Sequence, residues 1–157
     1  MITLLAEFAT IASGIALTLS VLFVGYELRV NAKLARASNA QSLVEISASF
    51  IGRIIQDRET ARFWAVGHSG HRDMDELDQF RYLTLITWWL IFHENIHFQY
   101  HKKLLDKDIY LAWDYELRTF VRNHGLETYW PRIRDGFQGP FARYLDRVVM
   151  AGEAQSG

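Results

Sequence analysis

The chain contains no cysteine. That excludes disulfides, thiol nucleophiles and thiolate metal ligands. Proline occurs only at Pro131 and Pro140, so no ring breaks a helix in the longer part of the chain before them. An excess of charge is also missing. Seventeen Lys and Arg face eighteen Asp and Glu, a net charge of −1, which argues against a nucleic-acid binder. There is no P-loop, no G-x-G-x-x-G and no G-x-S-x-G. What is present is apolar surface: half of the 157 residues are hydrophobic and 14% are aromatic. A chain of this size can build one folded domain and an anchor. Its Leu, Ala, Arg and Glu point to an all-α protein.

The 19 positions from Phe8 to Tyr26 carry no charge. As a helix they extend about 28 Å, close to the hydrocarbon thickness of a bilayer. Glu27, Arg29, Lys33 and Arg36 follow. No small-residue cleavage site follows the run, and its positive charge lies after it, so a retained anchor is expected rather than a cleaved signal. The basic flank predicts a single pass through the inner (plasma) membrane, with the N-terminus outside and the soluble domain in the cytoplasm. Arg29, Lys33 and Arg36 are candidates for anionic-lipid contact. Ala12, Ala16 and Ser20 recur every four residues, as do Gly14 and Thr18, a spacing that lets membrane helices approach closely. Glu7 suits the outer interface at the first helical turn.

The expected organisation is an anchor at 1–27, a juxtamembrane helical stalk at 28–42, a helical soluble domain of about five helices at 43–150 and a frayed tail at 151–157. Val30, Leu34, Ala37, Gln41, Val44, Ala48, Ile51 and Ile55 alternate in steps of four and three, a heptad seam. Leu43, Ile46, Phe50 and Ile54 widen it, so residues 43–55 are expected to pack on the protein's own later helices. A short helix is expected from Thr60 to Val66, then a loop through Gly67, His68 and His71. Asp75 reads as an N-cap, with Asp78 three positions on, for a helix from Glu76 to about Lys103. The stretch from Tyr82 to Phe92 is apolar on every face and too short to span a bilayer, which predicts a buried central helix. Asp106 caps a helix ending near Gly125, a short helix holds Trp130, and Gly139-Pro140 starts a last helix to about Met150.

Tyr26-Glu27-Leu28-Arg29-x-Asn31 and Arg36-x-x-x-x-Gln41 come after the apolar run. Glu94-Asn95-x-x-x-Gln99, Leu104-Leu105-Asp106, Trp113, Trp130 and Phe137-x-x-x-Phe141-x-x-Tyr144 follow. With these residues the chain resembles a family of small bacterial membrane proteins with no assigned activity. The resemblance implies one anchor and a helical domain, and no reaction.

His93-Glu94-Asn95-Ile96-His97 matches H-E-x-x-H. Two histidines four apart on a helix can share a Zn²⁺ while the glutamate acts on its water. The third ligand of that pattern is missing, because Lys103 stands where the extended motif has histidine. The alternative for Glu94, Asn95 and Gln99 is a buried polar cluster or small ligand pocket, with Arg81, Arg118, Arg122 or a tryptophan N–H as partners. Arg132, Arg134, Arg143 and Arg147, diluted by Asp135 and Asp146, read as a solvated face. The expectation is therefore a non-enzymatic assembly subunit with no cofactor. It would contact lipid and either a second copy or another membrane subunit. The competing reading is a membrane-bound zinc hydrolase using His93, Glu94 and His97.

Overall fold

The computed structural model describes residues 2–68, 74–123 and 126–156. Every regular element among them is helical. In chain order these are α1 (Ile2–Gln56), α2 (Arg58–His68), α3 (Glu76–His101), α4 (Lys107–Asn123), α5 (Trp130–Ile133) and α6 (Gly139–Ser156). Single 3₁₀ turns at Leu126–Thr128 and Arg134–Gly136 flank α5. The chain divides into two compact units, Met1–Ser38 and Asn39–Gly157.

The first unit is helix alone. A window of it has a mean hydropathy of 2.0 and is long and apolar enough to cross a membrane, and none of that window is buried in the protein. Three of its hydroxyls bond within the helix. Ser13 donates to the Ala9 carbonyl at 2.8 Å, Thr18 to Gly14 at 2.9 Å and Ser20 to Ala16 at 2.8 Å. Polar side chains paired in this way do not have to find partners in hydrocarbon.

In the second unit α3 is central, with α2, α4 and α6 packed against it. The cap reads as the sequence predicts: the Asp75 side chain accepts from the Asp78 backbone N–H at 2.8 Å. Asp57 does the same for α2, accepting from Thr60 at 2.8 Å. Lys103 closes α3 with a φ of 60°. Its N–H reaches the Tyr100 carbonyl and the Leu104 N–H reaches Gln99, both at 2.9 Å, the Schellman pairing. The last helix continues to Ser156, past the expected end at Met150 and through most of the expected frayed tail. The loop expected at Gly67–His71 gives way to α2 as far as His68, and His71 lies outside the described residues, as does Gly125.

Two burial patterns depart from expectation. On α1, Leu43, Ser47, Phe50 and Ile54 are buried, again in steps of four and three. Phe50 stacks on Trp88 and Trp89 and meets Trp64 edge-on. The heptad positions one residue away, Val44, Ala48, Ile51 and Ile55, face solvent. The seam is thus displaced by one residue from the face that packs. On α3, Tyr82, Ile86, Trp89, Leu90, Phe92, His93, Ile96 and His97 are buried. Leu77, Phe80, Trp88, Ile91 and Phe98 on the other side are exposed. The central helix is therefore covered on one side only.

Candidate functional site

The last three turns of α3 carry the chemistry. His93 points inward and is 2% exposed. Its ring stands edge-on to Trp89 at 4.4 Å, Phe92 at 5.4 Å and Trp113 at 6.4 Å between centroids. Burial alone pulls its pKa down to about 3, so the imidazole is neutral. Its Nε2 and the Trp89 Nε1 meet no hydrogen-bond partner among the described residues.

One turn later His97 lies at the edge of the core, its ring near Phe141 at 5.7 Å and Tyr144 at 5.3 Å. Its Nε2 is 3.1 Å from Nε2 of the exposed His101. Burial first, then the neighbouring His101, draws the His97 pKa down to about 4. Asp114 pulls the other way, and Arg147 adds to the lowering. The result is a pair of facing imidazoles with at least one neutral member. They open onto a cavity of about 400 Å³ that Glu94, Phe98, Lys102 and Phe141 also line.

Behind His97 lies a buried carboxylate that sequence reasoning missed. Asp114 on α4 is 9% exposed. It accepts from Arg118 Nε at 2.8 Å and makes a short hydrogen bond from the Tyr144 hydroxyl of α6. The pKa of Tyr110 is pushed up to about 12, by burial first and by Asp114 second. That of Tyr144 is pushed above its usual range by burial and by its bond to Asp114. Both phenols are therefore neutral donors at physiological pH. The ring of Tyr110 stacks on Tyr100 at 4.0 Å. This hub ties α3, α4 and α6 together. Its only sequence signal is the i, i+4 spacing of Asp114 and Arg118.

The residues of the expected polar cluster run along one stretch of α3, and Gln99 Oε1 is buried with no hydrogen-bond partner among the described residues. Asn95 is exposed, and Glu94 and Gln99 are half-buried. Gln99 Nε2 reaches Asn95 Oδ1 at 3.4 Å, while Glu94 Oε1 accepts the Gln138 backbone N–H at 2.6 Å. Glu94 thus fixes the entry to α6, where a carboxylate suits both a free N–H and the helix dipole. Of the partners considered for the cluster, Arg118 goes to Asp114, Arg122 to Thr119 at 3.4 Å and Arg81 to Glu59 at 3.3 Å. The tryptophan N–H of Trp130 goes to Asp146 at 2.8 Å. Arg134 makes two further bonds to Asp146, at 2.9 and 2.7 Å, so one corner of the expected solvated face is an ordered clamp.

For the H-E-x-x-H reading the geometry is unhelpful. His93 is enclosed by aromatic rings and Glu94 is engaged by Gln138. No group of three His, Asp or Glu converges on a metal position among the described residues. Arg29, Lys33 and Arg36 are exposed, as are Ala12, Ala16, Ser20, Gly14 and Thr18. No family model, curated protein or solved structure matches the chain.

Proposed function

We propose that the protein is a single-pass, membrane-anchored assembly subunit whose helical domain self-associates through the uncovered face of α3. The observation that carries this reading is the row Leu77, Phe80, Trp88, Ile91 and Phe98, each between 41 and 65% exposed. Along one helix these residues share a face, with Thr84 and Asn95 between them in the row. Exposed large apolar side chains gathered on one face mark an interaction site. Beside it lies an apolar groove of about 570 Å³ between α1 and α3, walled by Ile46, Phe50, Ile54, Leu85 and Trp88.

A second copy of the chain suits this face. Around a two-fold axis, antiparallel α3 helices set the acidic first turn, Glu76 and Asp78, against the partner's Lys102. Anchoring also confines copies to one plane and raises their effective concentration. In this reading the basic flank Arg29, Lys33 and Arg36 keeps the domain on the cytoplasmic side and contacts anionic lipid, and the resemblance to small bacterial membrane proteins fits.

The test is the mass of the full chain in mild detergent, by light scattering corrected for bound detergent. A dimer is expected. Phe80→Glu combined with Trp88→Glu should give monomers that melt near the wild-type temperature. A monomeric wild type, or a dimer indifferent to both changes, defeats the proposal. A reporter fused after Gly157 that is active only in the periplasm defeats the orientation.

A further inference from the structure

The histidine pair at the end of α3 has a geometry that its packing does not require. His101 is exposed and on the surface, yet its Nε2 faces Nε2 of His97 at 3.1 Å across the wall of an open cavity. Imidazole binds Zn²⁺ with Zn–N of about 2.0–2.1 Å. Two such nitrogens on one ion stand roughly 3.3 Å apart at a tetrahedral angle and roughly 2.9 Å apart at a right angle. The observed separation lies between these limits. We propose that His97 and His101 form an open two-histidine site for one divalent transition-metal ion of the imidazole-preferring kind, copper, zinc or nickel.

The surroundings favour an ion there. Both Nε2 atoms are turned to the same point beside the cavity, where one ion can meet both lone pairs. Without metal, one Nε2–H donates to the other nitrogen. On binding, the donor ring gives up its Nε2 proton, and both Nε2 atoms become ligands. Asp114 lies close enough to act on His97 electrostatically and offsets part of the repulsion an ion would meet from Arg147. Lys102, which also lines the cavity, has its Nζ 5.7 Å from the centre of the Phe98 ring. Glu94, one turn before His97, also lines the cavity, with Oε1 held by the Gln138 backbone N–H. The remaining coordination positions fall to water or an added ligand, so the bound ion is exchangeable. His93, sealed one turn earlier, takes no part.

The experiment is a Cu²⁺ titration of the full chain without a polyhistidine tag, in mild detergent, followed by electron paramagnetic resonance. One ion per chain with a two-nitrogen signature is expected. His101→Ala should weaken binding by at least about tenfold, with melting nearly unchanged because the side chain is exposed. His93→Leu should leave binding intact, and Mg²⁺ at the same concentration should not compete. His101→Ala binding as tightly as wild type overturns the site. So does loss of binding in a folded His93→Leu variant, which would return the ligand role to His93 and His97.

Discussion

Trp88 and Trp89 are neighbours in one helix, yet the first is 51% exposed and the second 5%. They stand for the two faces of α3. The inner face meets α2, α4 and α6 and holds the neutral histidine and its aromatic ring cage. The outer face is also largely apolar, but it is left exposed, its one described ring contact being Trp88 against Phe50. The two differ in their partners and hardly at all in composition, so apolarity all round a helix signals the total surface to be covered and leaves open what covers it.

The comparison breaks most directly at the two tryptophans. Trp89→Ala should leave a cavity and destabilise by about 3–5 kcal/mol, read from denaturant unfolding of the detergent-solubilised chain. Trp88→Ala should cost clearly less folding stability, about 1 kcal/mol, since half of the side chain is already exposed and it leaves no closed cavity, and should weaken self-association instead. Equal losses from both would mean that the outer face is buried by the protein's own fold.

Acid separates the faces next. His93 is neutral when folded, with its pKa near 3, against about 6.5 when unfolded. Between those values the unfolded chain binds a proton that the native one refuses. Stability is therefore full above pH 6.5 and falls as pH drops, by about 1.4 kcal/mol per pH unit while the site stays closed. His97 adds a second such contribution down to about pH 4. His93→Leu should flatten the stability profile below pH 6.5. A profile as steep as wild type would place the acid sensitivity elsewhere.

The hub behind His97 tests whether the inner face is held by charge as well as by packing. Asp114→Asn keeps the shape and removes the charge that Arg118 and Tyr144 share. It should destabilise by about 1–3 kcal/mol, less than the tryptophan cavity, because the half-exposed Arg118 can turn to water. A thermal midpoint unchanged by the substitution would show the hub to be energetically idle.

How much of this was legible follows from where the signals lie. The Asp75 cap, the start of α3 and the burial of Trp89 are local in sequence and were readable. Asp114 was not, because its partner Tyr144 is 30 residues away and an aspartate in an amphipathic helix reads as surface. The histidine spacing was visible, but the pairing was not. Each four-residue step rotates the side chain about 40° further round the helix. That rotation carries the series from a sealed His93, through His97 at the boundary, to an open His101. Sequence gives the increment and not its origin, and the origin decides which two histidines face one another. The same ambiguity applies to α1, where Phe50 packs and Ile51 does not.

The smallest expected effect lies where α3 ends, just beyond His101. Lys103 sits at φ 60°, the left-handed region that costs a residue with a Cβ about 1 kcal/mol and glycine almost nothing. The strain is held by the two closing hydrogen bonds to Tyr100 and Gln99. Lys103→Gly keeps both bonds and removes the clash, at the cost of a looser unfolded chain, which offsets part of the gain. The net should be a stabilisation of about 0.5 kcal/mol, measurable as a shift of the urea midpoint at constant slope. Because the bonds that fix the last turn are retained, His101 keeps its position, and the His101 ring should respond to Cu²⁺ as in the wild type. A destabilised Lys103→Gly would show instead that the lysine side chain contributes more than its backbone costs.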